Sequence, residues 1–257
     1  MFEINPTLRL SNGLDIPQMG FGTYGLRSAT EAILHALQIG YRHIDTADIY
    51  ATHQSVGEAV LKNGLPREDV FITTKLWSNS VSGKRVAPTV DRFLSELKTT
   101  YIDLLLIHWP GNTPFAETLA AMDATRKAGK VRSIGVSNFD VELTQNVLDT
   151  GYPVVNNQIE YNLNHQPQDV LDFCTRNKIT ITAYSPLERG NSEQERVVSE
   201  LAKKYSVTRE EVLLQWLIQK GMIVIPRSSI TKHIQSNFHA LAWEIDKADV
   251  TKLNQLG

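Results

Sequence analysis

Short apolar runs alternate with longer amphipathic stretches along almost the whole chain. The runs lie near 19–21, 43–45, 70–74, 102–107, 132–136, 155–160, 180–184 and 222–225, and their continuous character suits strands buried on both faces. Between them, segments 28–38, 55–63, 82–98, 115–128, 140–149, 167–177, 193–219 and 231–240 carry apolar residues at helical spacing, and 193–219 is long enough for two helices. Strands that alternate with helices imply parallel pairing through right-handed crossovers. Eight such units in 257 residues match the size and count of an α/β (β/α)8 barrel, the TIM barrel. No linker or low-complexity stretch breaks the series, so one domain over 1–257 is expected. Ahead of the first unit, LRLSNGLDIP places Asn12-Gly13 between two short apolar pieces, which predicts a β-hairpin at the barrel bottom.

One local pattern competes with this reading. GFGTYG at 20–25 matches G-x-G-x-x-G, and Asp45 lies twenty residues past Gly25, the spacing of a dinucleotide-binding βαβ fingerprint. The preceding DIPQM is short and carries Pro17, which suits an edge or a strand start and not the central first strand of a doubly wound sheet. The alternation also continues for eight units where such a half needs three. The barrel is therefore the expected fold.

Charge and cysteine content narrow the partners. The chain has 26 basic and 28 acidic residues, which argues against nucleic acid or an anionic membrane as a bulk partner. Cys174 is the single cysteine, so no intrachain disulfide is possible and a reducing, cytoplasmic setting follows. MFEINPTLRL has neither a basic start nor an apolar stretch, and no uncharged run approaches the length of a membrane span.

Four titratable residues stand at or just beyond the ends of predicted strands: Asp45, Tyr50, Lys75 and His108, in YRHIDTADIY, VFITTKLW and YIDLLLIHWP. The carboxyl ends of parallel strands are where an α/β protein binds ligands. A strand core has no need of a terminal Lys or His, since burying a polar group without a partner costs about 2–7 kcal/mol. Read singly, each has an ordinary explanation. Asp45 and Lys75 fit a barrel-mouth ion pair, His108 a satisfied core histidine, and Tyr50 a half-buried phenol. Lys75 also fits a Schiff-base lysine activated by desolvation.

Seven ordered segments, GYRHIDTADIYATHQSVGEA, FITTKLW, YIDLLLIHWP, RSIGVSNF, NNQIEY, ITAYSPL and VIPRSS, resemble the consecutive signatures of the aldo-keto reductase family from about residue 8 to 240. The chain is similar to the short bacterial members, the 2,5-diketo-D-gluconate and methylglyoxal reductases. The resemblance implies hydride transfer from NADPH to a small carbonyl substrate, with no metal, in a monomer. A carbonyl that accepts hydride becomes an alkoxide, so the site must stabilise an oxyanion and deliver a proton. In that scheme Tyr50 is the proton donor and Lys75 favours its ionised form. Asp45 holds Lys75 in place, and a neutral His108 donates to the carbonyl oxygen.

The resemblance also implies a cofactor wall. Ser137, Asn138 and Gln158 match positions that bind the nicotinamide carboxamide, and Tyr184 one that stacks on the ring. Gly22, Thr23, Ser185 and Leu187 match positions near the ribose and pyrophosphate, consistent with an open glycine-bearing loop, and Tyr24 and Asp45 border the same cleft. From the residues themselves, Asn138 or Asp140 also fits a cap for the next helix, and Tyr184 a core aromatic. The last signature departs from type. Relatives read I-P-K-S-x-x-x-x-R-I-x-E-N and this chain reads IPRSSITKHIQSN. Arg227 replaces a lysine, His233 an arginine and Ser236 a glutamate, while Ser228 and Asn237 are kept. An arginine and a serine beside a helix start still suit the 2′-phosphate of NADPH.

A second departure replaces Asn-Glu with Thr52-His53 after the tyrosine, which places His53 in a loop at the rim. Tyr24, Trp77 and Trp109 are expected to line an open mouth together with His108. A Schiff-base aldolase using Lys75 and a non-catalytic nicotinamide sensor on the same fold are the alternative functions.

Overall fold

Burial on both faces makes the apolar runs strands, and the computed structural model, which describes residues 5–111 and 115–257, assembles them into one parallel sheet. A hairpin comes first, with β1 (Thr7–Arg9) and β2 (Asp15–Pro17) paired antiparallel. Its turn is closed by Leu10 N–H donating to Leu14 O at 2.8 Å, with Gly13 at φ +87°, a left-handed conformation that glycine adopts without strain. Leu10 and Ile16 pack under Phe71, Leu104, Leu106, Val155 and Ile223, and Asn12 Nδ2 donates to Ser133 Oγ at 2.9 Å. The hairpin thus plugs the end of the barrel where the strands begin, as expected.

The sheet runs β3 (Phe21–Gly22), β4 (His43–Asp45), β5 (Phe71–Leu76), β6 (Ile102–Ile107), β7 (Val131–Ser137), β8 (Val154–Glu160), β9 (Thr180–Tyr184) and β10 (Ile223–Val224), each parallel to the next. A parallel bridge between Met19 and Val224 joins the two ends. Val224 N–H donates to Gln18 O, Gly20 N–H to Val224 O and Gly22 N–H to Pro226 O, at 2.8–3.0 Å. This seam closes the TIM barrel. It requires Gly22, because a Cβ there would stand 2.8 Å from the carbonyl oxygen of Ile225. The G-x-G-x-x-G pattern is therefore a strand seam, and the doubly wound alternative is excluded by the sheet order.

Helices follow the strands as the spacing predicts: α1 (Ala29–Ile39), α2 (His53–Asn63), α3 (Gly83–Glu96), α4 (Phe115–Lys127), α5 (Val141–Asp149), α6 (Gln168–Arg176), α7 (Ser192–Tyr205), α8 (Arg209–Gln219) and α9 (Thr231–His239). The long 193–219 stretch does divide in two, because Asn191 and Thr208 each form a capping box with Gln194 and Glu211. Asp140 caps α5 through Leu143 N–H at 2.8 Å. A further helix, α10 (Lys247–Asn254), was not expected; KADVTKLN buries only Leu253, too little to give an apolar stripe. No described helix is long and apolar enough to cross a membrane.

Strand pleating sets what faces inward. On β4 and β5, His43 and Asp45, and Thr73 and Lys75, alternate with Ile44, Ile72, Thr74 and Leu76, which face the helices. The inward pairs climb toward the open end.

Candidate active site

Lys75 and Asp45 form the base of the site, and both are buried. Lys75 Nζ donates to Asp45 Oδ1 at 2.6 Å and to the Thr46 carbonyl at 2.9 Å. The second carboxylate oxygen accepts from Gln158 Nε2 at 2.9 Å, across the barrel. Burial pulls the Lys75 ammonium pKa down, and the Asp45 carboxylate opposes that pull. Both oxygens of Asp45 are thus committed to protein donors, and its role is to hold other groups.

Tyr50 sits above the pair in a three-residue 3-10 turn, Asp48–Tyr50, that follows β4. Its ring lies 5.1 Å from Lys75 Nζ, and its hydroxyl is 3.5 Å from His108 Nε2. Burial and then the Asp45 charge push the phenol pKa well above its ordinary value. Burial and the carboxylate outweigh the Lys75 ammonium that was expected to favour the ionised form, so the resting group is a protonated phenol. His108 follows β6 and meets Tyr50 and Trp77 edge to face, with ring centroids at 5.6 and 5.1 Å. Burial first and the Lys75 charge second lower its pKa to about 4, so the imidazole is neutral at ordinary pH. Its Nδ1 is buried and has no hydrogen-bond partner among the described residues.

One wall is built from the ends of β7, β8 and β9. Ser137 Oγ donates to the Gln158 carbonyl at 2.8 Å, Asn138 Nδ2 to the His108 carbonyl at 2.9 Å, and Tyr184 hydroxyl to Asn138 Oδ1 at 2.8 Å. Asn138 and Ser185 hold left-handed backbones at φ +65° and +48°, strained for side chains other than glycine, at the ends of two adjacent-but-one strands. The four residues expected to face a nicotinamide are therefore brought together. Leu187 is half-buried and Ser185 exposed in the loop after β9.

Two expectations need correction here. Gly22 and Thr23 do not form an open loop. Both are buried at the end of β3, where the Thr23 hydroxyl donates to the Asp45 carbonyl at 3.0 Å and lies 2.9 Å from Thr52 Oγ1. His53 is not a rim loop residue either. It opens α2, is buried, and lies 2.9 Å from Glu96 Oε2 and 2.7 Å from Thr74 Oγ1. Its neighbours in sequence gave no sign of this, since Glu96 lies on another helix.

The remaining predicted residues lie around the opening. Tyr24 is exposed with its ring 5.0 Å from that of Tyr50, Trp77 is half-buried against His108, and Trp109 is exposed. After β10, Arg227 is exposed, with no carboxylate partner among the described residues. Ser228 Oγ accepts from Ile230 N–H at 3.0 Å ahead of α9, and on that helix His233 is exposed and Asn237 buried. Ser236 turns to α8, donating to Glu211 Oε1 at 2.6 Å. A free guanidinium and a serine beside a helix N-terminus fit a phosphate. The sequence pointed to Thr52 as a departure from type but not to its bonds with Thr23 and Thr46, and it gave no role to Thr46 or Glu96. Of the last two, Thr46 had a signal, its position next to Asp45. No group of three His, Cys, Asp or Glu side chains that could hold a metal occurs among the described residues.

The profile of the aldo/keto reductase family matches residues 18–257. The chain is 33% identical to a glyoxal reductase of Bacillus subtilis, over 99% of this chain and 94% of the relative. It is 34% identical to a methylglyoxal reductase, DkgB, of Yersinia pestis, over 95% of this chain and 94% of the relative. Among solved structures it is similar to a Bombyx mori aldo-keto reductase in complex with NADP, with TM-score 0.91 and 32% identity over 98% of this chain and 93% of that one.

Proposed function

The chain belongs to the aldo/keto reductase family, and from that premise we propose that it reduces small aldehydes, α-dicarbonyls or keto-sugars to alcohols with NADPH, Tyr50 being the proton donor. The observation that carries this reading is the stack of Asp45, Lys75, Tyr50 and His108 at the strand ends, with a protonated phenol 3.5 Å from a neutral imidazole. When bound, the reduced nicotinamide supplies the hydride. Asn138, Gln158 and Ser137 orient its carboxamide, Tyr184 keeps the ring flat, and Gly22, Ser185 and Leu187 border the ribose and pyrophosphate. Arg227 and Ser228, with His233 and Asn237 on α9, receive the adenosine phosphate.

The chain's own residues handle the oxygen. His108 Nε2 and the Tyr50 hydroxyl converge on one point, where a carbonyl oxygen accepts from both. As negative charge develops there, Tyr50 releases its proton to it, and the resulting phenolate lies over the Lys75 ammonium, which lowers the cost of that charge. Two structural features weigh against the aldolase alternative: Lys75 Nζ is fully buried, and it is bound by Asp45 and Thr46. A single domain in a reducing cytoplasm, acting as a monomer, completes the reading. Support comes from the one thiol, which is buried, and from the exposed large apolar side chains among the described residues, of which Tyr24, Ile49, Trp109 and Ile230 all follow strands at the mouth and only Leu61 lies on an outer helix.

The test is consumption of NADPH and of NADH against a panel of small aldehydes, α-dicarbonyls and keto-sugars. Turnover with at least one class, faster with NADPH, is expected. Tight NADPH binding without turnover across the panel would favour the sensor instead. For the cofactor, Arg227→Ala is expected to weaken NADPH binding by about 1.5 kcal/mol, the low end for a charge-assisted contact because the side chain is exposed, and to leave NADH binding unchanged. Equal losses for both cofactors would contradict the assignment.

A further inference from the structure

Tyr50 is carried by a turn with little support of its own. The 3-10 segment is three residues long, Ala47 gives it no side-chain cap, and Ala51 closes it in a left-handed conformation at φ +55°. The helix that follows gains no cap from Thr52, whose hydroxyl is spent on Thr23 and Thr46.

Both ends of this turn are instead tied to one face of α3. At the front, Asp48 Oδ1 accepts from Arg92 Nη2 at 2.7 Å, and Asp48 Oδ2 accepts from Ser80 Oγ at 3.3 Å. At the back, His53 Nδ1 meets Glu96 Oε2 at 2.9 Å. Arg92 and Glu96, one helical turn apart, join the two anchors through Arg92 Nη1 and Glu96 Oε1 at 3.1 Å. A carboxylate can only accept, so Nδ1 of His53 is the donor and Nε2 accepts from the hydroxyl of Thr74, the residue beside Lys75 on β5. The imidazole ring also lies 4.5 Å from the Phe93 ring. The network thus runs from the strand that carries Lys75, through α3, to the turn that carries Tyr50.

We propose that Arg92 and His53 are positioning residues for proton delivery: with Glu96 they clamp both ends of the Tyr50 turn to α3 and fix the phenol relative to Lys75 and His108. The proposal rests on the reading of Tyr50 as donor. The hydrogen bonds of both side chains go to Asp48, Thr74 and Glu96, none of them assigned to the cofactor, so their effect is on the reacting geometry and not on cofactor binding. A misplacement of about 1 Å at a reacting group can cost about 10²-fold in rate.

The experiment compares Arg92→Met, His53→Val, His53→Asn and Tyr50→Phe for NADPH affinity by fluorescence, single-turnover reduction of a small aldehyde, and thermal melting. Arg92 is 46% exposed, so its variant folds, and a half-exposed ion pair adds little to stability. Arg92→Met and His53→Val are expected to slow the single turnover about 10²-fold with NADPH affinity unchanged. His53→Asn, whose amide nitrogen takes the place of Nδ1 before Glu96, is expected to recover most of that rate. A wild-type rate in Arg92→Met beside an inactive Tyr50→Phe would overturn the clamp alone. A loss of NADPH affinity that matches the loss of rate would also overturn it. A wild-type rate in Tyr50→Phe would overturn the donor reading and the clamp together.

Discussion

The two ends of the barrel each bury a carboxylate among cations, and they treat it differently. At the floor, Asp103 Oδ2 accepts from Arg67 Nη2 at 2.7 Å and from Ile72 N–H at 3.0 Å, and Oδ1 accepts from Arg132 Nη1 at 3.1 Å. The two guanidinium groups lie 4.2 and 5.4 Å from the Tyr101 ring, and Arg67 also donates to Thr99 Oγ1, Val70 O and Tyr101 O. This cluster is saturated. At the mouth, the Asp45 and Lys75 pair is equally well held, yet the groups above it are not. Among the described residues the Tyr50 hydroxyl meets only His108, at a long 3.5 Å, and His108 Nδ1 has no partner. Around Asp103 the hydrogen-bonding capacity is used up, whereas above Asp45 part of it is kept back where a ligand can use it.

The backbone repeats the contrast. On the floor side, Lys98 and Lys178 take left-handed conformations just past the ends of α3 and α6, a common way to stop a helix. At the mouth, Asn138 and Ser185 take them directly after the strands β7 and β9, which build the proposed cofactor wall.

Breaking the floor gives the largest expected effect on stability. Asp103→Ala leaves Arg67 partly buried without its anion, a loss of about 3–5 kcal/mol in denaturant unfolding. Turnover of the remaining folded protein should be unchanged. A clear loss of turnover at unchanged stability would erase the distinction between the two ends. Gly22→Ala tests the seam between them. Its Cβ would meet a backbone oxygen at 2.8 Å, and overpacking of this kind costs about 1–3 kcal/mol. Melting that stays at the wild-type temperature would show that β3 and β10 can part without cost.

The smallest effect is a pH trend. His43 and His108, in the shaft and at the mouth, each have a native pKa lowered to about 4 from 6.5, chiefly by burial. As pH falls below 6.5 the unfolded chain takes up protons that the native protein refuses, so stability declines from about pH 6.5 to about pH 4. Unfolding followed across that range should show a shallower decline in His43→Asn than in the wild type. Parallel curves would mean that His43 titrates normally.

Much of this was legible in the sequence because two signals are local. Strand burial makes continuous apolar runs, and a Lys or His that ends such a run is conspicuous, which located Asp45, Lys75 and His108 with their strands. Partnerships were less legible. Gln158 was expected to face a cofactor, and in the structure its amide also holds Asp45 from 113 residues away. His53 follows Tyr50 closely in sequence and was assigned to the rim; its position is decided by Glu96 on α3. Register and helix packing bring such residues together, and neither is written in the spacing around them. The upward shift of the Tyr50 phenol was not legible for the same reason, since it depends on how deeply the ring is buried.

The central claim is that the phenol at the mouth delivers the proton, and Tyr50→Phe tests it with the loss of a single oxygen. With NADPH binding followed by fluorescence and aldehyde reduction by single turnover, the variant should bind the cofactor as the wild type does. Its turnover should fall by about 10²–10⁴-fold, the contribution of a general acid. Reduction at close to the wild-type rate would contradict the account.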